Sequence, residues 1–255
     1  MPRLLIALGV ALYAFLYAPL VVVVAYSFND SRVNAEWVGF TLKWYEQLLT
    51  DASMLTAAAN SLFIALASSA LATLLGTLAA LALAQRRRQP LLKFLTLAPV
   101  AVPDILLGVS LLMLFVLLNL SLGMLSITLA HTVFSIGFVM VAVQARLAGL
   151  DPALLEAARD LGATPWQAFR RVTLPLILPG VVAGALMAFT LSIDDFVVTF
   201  FTAGVDSPTL PLQIYAMLKT SVTPKVNAIS TLLMLLTLSL ILLAHRLSPG
   251  ALRAR

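Results

Sequence analysis

Long apolar runs separated by short polar stretches set the pattern of this chain. Leu4–Phe28, Asn60–Ala84, Phe94–Leu118, Leu125–Gln144, Leu176–Ala203 and Val226–Ala244 are apolar and nearly free of charge. A membrane-spanning helix needs about 20 such residues. The pattern therefore predicts an all-α polytopic membrane protein with six transmembrane helices, in a single transmembrane domain over residues 1–255. The region from Phe94 to Ala145 is too long for one crossing, and the turn signal Asn119-Leu-Ser-Leu-Gly123 divides it into a third and a fourth span. Pro19 predicts a kink in the first span. Ser68, Ser69 and Gly76 make the second span suited to close helix packing. The first run reads as a retained helix, because its apolar region is long and no small-residue cleavage pattern precedes Asn29.

Polar residues fill the gaps. Asn29 to about Ala57 carries Asp30, Arg32, Glu36, Lys43, Glu46 and Asp51, with Trp37, Trp44 and Tyr45 placed as an interfacial belt and Thr41–Leu49 as a short surface helix. A second polar loop runs from Gly204 to Lys225, where Gly204, Pro208 and Pro211 supply turn chemistry. Composition agrees: the chain is 61% hydrophobic and 11% charged, against roughly 45–50% and about 25% in soluble domains. The mean hydropathy is +1.02.

The net charge of +5 does not point to nucleic acid, because the basic residues sit in short loops between apolar runs. Six spans place Arg3, Arg86, Arg87, Arg88, Lys93, Arg146, Arg159, Arg170, Arg171, Arg246, Arg253 and Arg255 on one side, and only Arg32, Lys43, Lys219 and Lys225 on the other. The positive-inside rule makes the first side, with both termini, cytoplasmic. The absence of cysteine excludes disulfides and thiolate metal sites.

Within the cytoplasmic loop 145–175, the stretch Asp151–Pro175 has helical punctuation of its own. Asp151 is a good N-cap and Pro152 a good first helical residue. Leu154, Leu155, Ala158 and Leu161 share one face, and Gly162 can supply a left-handed stop. A second helix restarts with Thr164 as N-cap and Pro165 at its first position, running through Trp166 and Phe169 to about Val172. Such a knuckle either seats in a partner's groove or lies on the membrane as an amphipathic helix; its residue pattern leaves both open.

Glu156-Ala157-Ala158, three residues, Gly162, nine residues, then Val172-Thr-Leu174-Pro175 resembles the EAA signature of ABC-importer permeases. Val172 stands where that family carries isoleucine. The resemblance implies a type I ABC-importer (MetI-like) permease fold whose cytoplasmic coupling helices dock in a cleft of an ATP-hydrolysing subunit. It makes Glu156, Ala157, Ala158 and Gly162 the docking core, with Arg159 and Asp160 as flanking contacts. It also implies a bacterial inner-membrane location, a homologous second permease, two copies of the ATPase subunit and an extracytoplasmic binding protein. The chain has no Gly-x4-Gly-Lys-Ser/Thr phosphate loop. It is therefore expected to be a transport subunit without an ATPase site or cofactor of its own, with ATP and magnesium held by the partner.

Asp104 in the third span, and Asp194 with Asp195 in the fifth, are acids inside apolar runs. Intramembrane carboxylates are costly and usually face a bundle interior or a water-filled path. The structural alternatives are that Asp104, after Pro103, caps a helix restart and that Asp194 pairs with a sister subunit. A rise of about 1.5 Å per residue from Leu176 puts Asp194 in the outer half of the membrane. Phe189, Phe196 and Phe200 lie on or near the same segment. Carboxylates beside aromatic faces suit an organic cation, and no Lys or Arg lies in these spans to compensate them. His131, alone on an apolar span, reads as a packed or hydrogen-bonded histidine.

Phe189-Thr-Leu-Ser-Ile-Asp-Asp-Phe-Val-Val, Leu210-Pro-Leu-Gln-Ile-Tyr215, Pro224-Lys-Val-Asn-Ala-Ile and Pro99-Val-Ala-Val-Pro103-Asp104-Ile resemble spermidine/putrescine importer permeases of the PotC type. Lys225 departs, since an acid is expected after that proline. This resemblance implies a polyamine pathway with Asp194, Asp195, Asp104, Phe196 and Phe200 along it, fed by a polyamine-binding protein. The alternatives are an ABC permease for another small organic solute, or an ion-driven secondary transporter using the three aspartates as a proton relay. A membrane hydrolase lacks its Gly-x-Ser-x-Gly elbow here.

Overall fold

Apart from an isolated bridge between Asn29 and Phe40, the regular structure among the described residues is helical. The computed structural model describes residues 2–31, 36–85, 89–220 and 223–247. Arg32, Arg86, Arg87, Arg88, Arg253 and Arg255, used in the charge argument, lie outside them. The helices are α1 (Pro2–Tyr26), α2 (Lys43–Thr50), α3 (Ala52–Gln85), α4 (Pro90–Ala101), α5 (Asp104–Leu117), α6 (Met124–Ala148), α7 (Pro152–Asp160), α8 (Pro165–Ala168), α9 (Leu174–Ile193), α10 (Val197–Thr202), α11 (Leu210–Thr220) and α12 (Pro224–Leu247). Five runs among the described residues are long and apolar enough to cross a membrane: α1, α3, α6, α8 through α9, and α12.

The third span is not one helix, which corrects the reading of Phe94–Leu118. It is α4 and α5, bent by 114°. The cause is local. A residue before proline is disfavoured in the α region, and Val102 is extended at φ −86°, ψ 134° before Pro103. Proline itself offers no N–H to continue the ladder. Beyond α5 the predicted turn is present: Asn119 takes the left-handed conformation, φ 54°, and Leu120 N–H closes onto the Phe115 carbonyl at 2.8 Å.

The fifth span differs from Leu176–Ala203 at both ends. It begins at Pro165, because a π-helical turn, Phe169–Thr173, joins α8 to α9 without a stop near Val172. Pro175 cannot donate to a carbonyl four residues back, and a wider turn just before it accommodates the missing bond. It ends at Ile193, where Asp194 and Asp195 interrupt the helix. The second span starts at Ala52 rather than Asn60, since Asp51 Oδ1 accepts from the amides of Ser53 (3.0 Å) and Met54 (3.3 Å).

The helices α3, α6 and α9 pack against one another as the centre of the bundle. Gly76 permits this: a Cβ there would lie 2.8 Å from both the Ile136 carbonyl oxygen and Val139 Cβ. A buried cluster of Ala72, Ala80, Val139, Met140, Val143, Ile177 and Ala188 fills the contact. A second cluster joins α5, α6 and α10 through Leu107, Leu111, Phe115, Ala130 and Val198. A third sits at the opposite end from α7, where Trp44, Leu48, Met54, Leu210 and Ile229 bring α2, α11 and the starts of α3 and α12 together. By contrast α1 packs on α12 and leaves side chains such as Leu5 and Phe15 exposed. A helix apolar all round belongs in lipid or against another membrane subunit.

Candidate functional site

Two helix breaks face one cavity. At the first, Asp104 opens α5 with no capping hydrogen bond from its N-cap, Pro103. At the second, Asp194 is the C-cap of α9. A cavity of about 460 Å³ is lined by Asp104, Asp194 and Asp195, by Phe134 and Phe138 of α6, and by Phe196, Pro99 and Val100. The fold thus brings together three acids that lie as much as 91 positions apart in the sequence (195 − 104). Breaks of this kind expose backbone at membrane depth, which is tolerated only where it lines a cavity or is buried in protein.

The three carboxylates are not equivalent. Asp104 sits at a helix N-terminus, where the helix dipole favours negative charge. Asp195 is nearly buried and held by neighbouring groups. Its Oδ2 accepts from Thr199 N–H at 2.7 Å and Thr199 Oγ1–H at 2.8 Å, with His131 Nε2 3.3 Å away, and its Oδ1 accepts, more weakly, from Val198 N–H at 3.4 Å. Asp194 sits at a helix C-terminus, where the dipole disfavours an anion. It is exposed and forms no ion pair among the described residues.

His131 is hydrogen-bonded, as expected of a lone histidine on an apolar span. It lies within 2.7 Å of Ser192 Oγ through Nδ1 and 2.9 Å of Thr199 Oγ1 through Nε2. No Lys or Arg of the spans compensates the acids; beside Asp195 a histidine from α6 stands in that place. Phe196 lines the cavity, while Phe200, half exposed, does not; it packs on Phe196 at 5.7 Å and Tyr215 at 6.3 Å. Phe189 is also absent from the lining. Phe134 and Phe138 were missed, although their spacing from His131 (i+3, i+7) puts all three on one helical face. Tyr215, which the sequence marks only through its resemblance, has its ring 4.6 Å from Phe196 beside a second cavity that Asp194 and Phe196 also line.

At the other end of the bundle, the loop 145–175 forms the predicted knuckle. Asp151 caps α7 by accepting from Ala153 N–H at 2.9 Å. Gly162, φ +81°, ends it. Its N–H bonds the Arg159 carbonyl at 2.9 Å, and Ala163 N–H bonds that of Ala158 at 3.0 Å, the paired closure of a Schellman stop. Thr164 and Gln167 then cap α8 reciprocally, at 3.3 and 2.9 Å. Glu156, Ala157, Arg159, Asp160 and Gly162 are exposed, and Ala158 is half buried. Leu161 is 89% exposed and Trp166 65%. The expected common apolar face is therefore split: Leu154 and Leu155 line a cavity with Leu81, Ala84 and Leu147 of the spans, while Ala158 and Leu161 line another beside Gly162 and Arg171.

A bundle of long apolar helices, two of its segments broken around an acidic and aromatic cavity, with a capped knuckle at one end, defines a multi-pass membrane permease. Residues 72–253 match the family described as binding-protein-dependent transport system inner membrane component, and the chain belongs to it. The spermidine/putrescine transport system permease protein PotC of Escherichia coli (strain K12) is 44% identical over 234 residues, covering 91% of this chain and 89% of that protein. The putrescine transport system permease protein PotI of the same strain is 41% identical over 231 residues, covering 87% of this chain and 82% of that one. A bacterial alginate ABC transporter, solved in complex with an alginate pentasaccharide-bound periplasmic protein, contains a chain of like fold. Its TM-score is 0.73 at 16% identity, over 98% of this chain and 94% of that one.

Proposed function

We propose that this chain is the permease subunit through which an ABC importer moves polyamines across the inner membrane by alternating access. The observation that carries the reading is the cavity where Asp104 and Asp194 meet Phe134, Phe138 and Phe196. An extended cation with two or more ammonium groups needs separated carboxylates and aromatic faces for its charge and its methylene chain. Asp104 and Asp194 are the groups offered to cargo; Asp195 is occupied by His131 and Thr199. The names of the two curated relatives point to the same cargo.

The knuckle is the coupling element. Glu156, Ala157, Ala158 and Gly162 are the docking core on a separate ATPase, Arg159 and Asp160 flank them, and Leu161 and Trp166 add exposed apolar contact. In the assembly two ATPase copies hold ATP and magnesium, a homologous permease completes the pathway, and a periplasmic polyamine-binding protein delivers cargo at the end of α2 and α11. ATP binding moves the knuckle, and α8, being continuous with α9 through the π turn, transmits that motion to the α9 break that carries Asp194. With α4 and α5 taken together as one broken crossing, the crossings number six, and the excess of basic residues on the knuckle side supports a cytoplasmic position for both termini.

The test is uptake of labelled spermidine and putrescine by the reconstituted importer with its binding protein and ATP. ATP-dependent uptake is expected. Stimulation only by other solutes would overturn the cargo, and uptake driven by a proton gradient with no ATPase present would overturn the importer mechanism.

A further inference from the structure

The α9–α10 break is bracketed from one side chain. His131 comes from α6 and is 1% exposed. Its Nδ1 meets Ser192 Oγ, two residues before Asp194, at 2.7 Å. Its Nε2 meets Thr199 Oγ1, five residues after Asp194, at 2.9 Å, and lies 3.3 Å from Asp195 Oδ2. The proton inventory is consistent. The Thr199 hydroxyl donates to the Asp195 carboxylate at 2.8 Å, so Nε2 carries the hydrogen directed at Thr199 and Asp195. In the neutral ring Nδ1 then accepts from Ser192, whose oxygen accepts from Ser68 Oγ–H of α3 at 3.0 Å. An unbroken chain of hydrogen bonds therefore runs from α3, through α9 and α6, to the carboxylate that starts α10.

Asp194 lies inside this bracket and forms no ion pair with another helix among the described residues. Both ends of the break are tied to α6, and the exposed Asp194 side chain between them lines both cavities. We infer that His131 is a positioning residue for the transport site: by holding Ser192 on one side of the break and Thr199 and Asp195 on the other, it keeps Asp194 directed into the cavity. The inference rests on the reading of that cavity as the transport path. It also gives adjacent Asp194 and Asp195 separate tasks, one presented to cargo and one holding the break.

The chain has no cysteine, so Asp194→Cys introduces a unique thiol in this subunit. Its rate of modification by a water-soluble trimethylammonium methanethiosulfonate, measured on this chain in the intact reconstituted importer, reports whether position 194 faces the cavity. The expected result is ready modification, slowed at least fivefold by His131→Ala. His131→Gln, whose amide N–H reaches about as far as Nε2, restores the rate to within twofold, whereas His131→Asn, which reaches only as far as Nδ1, does not. An unchanged rate in His131→Ala, or equal rates in the Gln and Asn variants, overturns the proposal. So does loss of assembly in all three variants, which would assign His131 to folding alone. Because the rate is read without cargo, this outcome is separate from that of the polyamine uptake test.

Discussion

Lys225, in the first turn of α12, donates to the carboxylate of Asp51 at the head of α3, 2.5 Å away and 174 positions earlier in the chain. The basic residue that departs from the polyamine-group pattern is thus the partner of a helix cap. A cation in a first helical turn opposes the dipole, and Asp51 offsets it.

This pair predicts a pH signature. Lys225, then Ser53, hold the Asp51 carboxyl well below the ordinary carboxylate range. A depressed acid stabilises the fold while ionised, so its contribution is complete above the unfolded value of about 4 and declines as pH falls toward the lowered folded value. Lys225→Met should lower stability by about 1 kcal/mol or less, because the pair is partly exposed. The difference from the parent should be constant above about pH 5 and shrink below about pH 4. Thermal unfolding of the purified complex at several pH values checks this.

Gly162→Ala meets no neighbouring atom, since nothing lies within 4 Å of a Cβ built there, but φ is +81°. The cost is conformational alone, about 1–2 kcal/mol. Gly162→Asn should cost less, because Asn tolerates the left-handed region. ATPase co-purification should fall in the order Gly, Asn, Ala, with the permease still inserted; equal recovery of all three would remove the Schellman stop from docking.

Asp194→Asn should reduce polyamine uptake at least tenfold with normal complex yield, because it removes a charge offered to cargo without disturbing a hydrogen bond to a neighbouring residue. Asp195→Ala should lower stability by about 1–3 kcal/mol, since it leaves the Thr199 amide without its acceptor and takes the carboxylate away from the Thr199 hydroxyl and His131. Uptake kinetics alongside thermal unfolding separate the two; the reverse pattern would exchange their roles.

Gly76→Val should destabilise the bundle by about 1–3 kcal/mol through overpacking, because the added carbons meet the Ile136 carbonyl and Val139. Gly9→Val on the open face of α1 should be far milder, with nothing within 4 Å of its Cβ. Comparing the two in one thermal series tests whether close approach of α3 and α6, rather than helix propensity, is what Gly76 supplies.

The sequence by itself determined the apolar segments, the turn at Asn119, both caps of the knuckle and the stop at Gly162. Each depends on residues within a few positions of one another, through hydropathy, proline geometry or a capping side chain. The breaks were only half legible. Pro103 marked the first, but Asp194 and Asp195 inside an apolar run did not show that α9 stops there, because that depends on a carboxylate preferring the amides of Val198 and Thr199 to water. Only the tertiary structure could decide that Asp104 and Asp194 line one cavity, that His131 serves Asp195, and that Lys225 belongs to Asp51. Such pairings join helices distant in the chain, and helix periodicity records which face is apolar without recording which partner it meets. The two adjacent aspartates look alike in the sequence; burial and hydrogen bonding from α6 and α10 are what make them different.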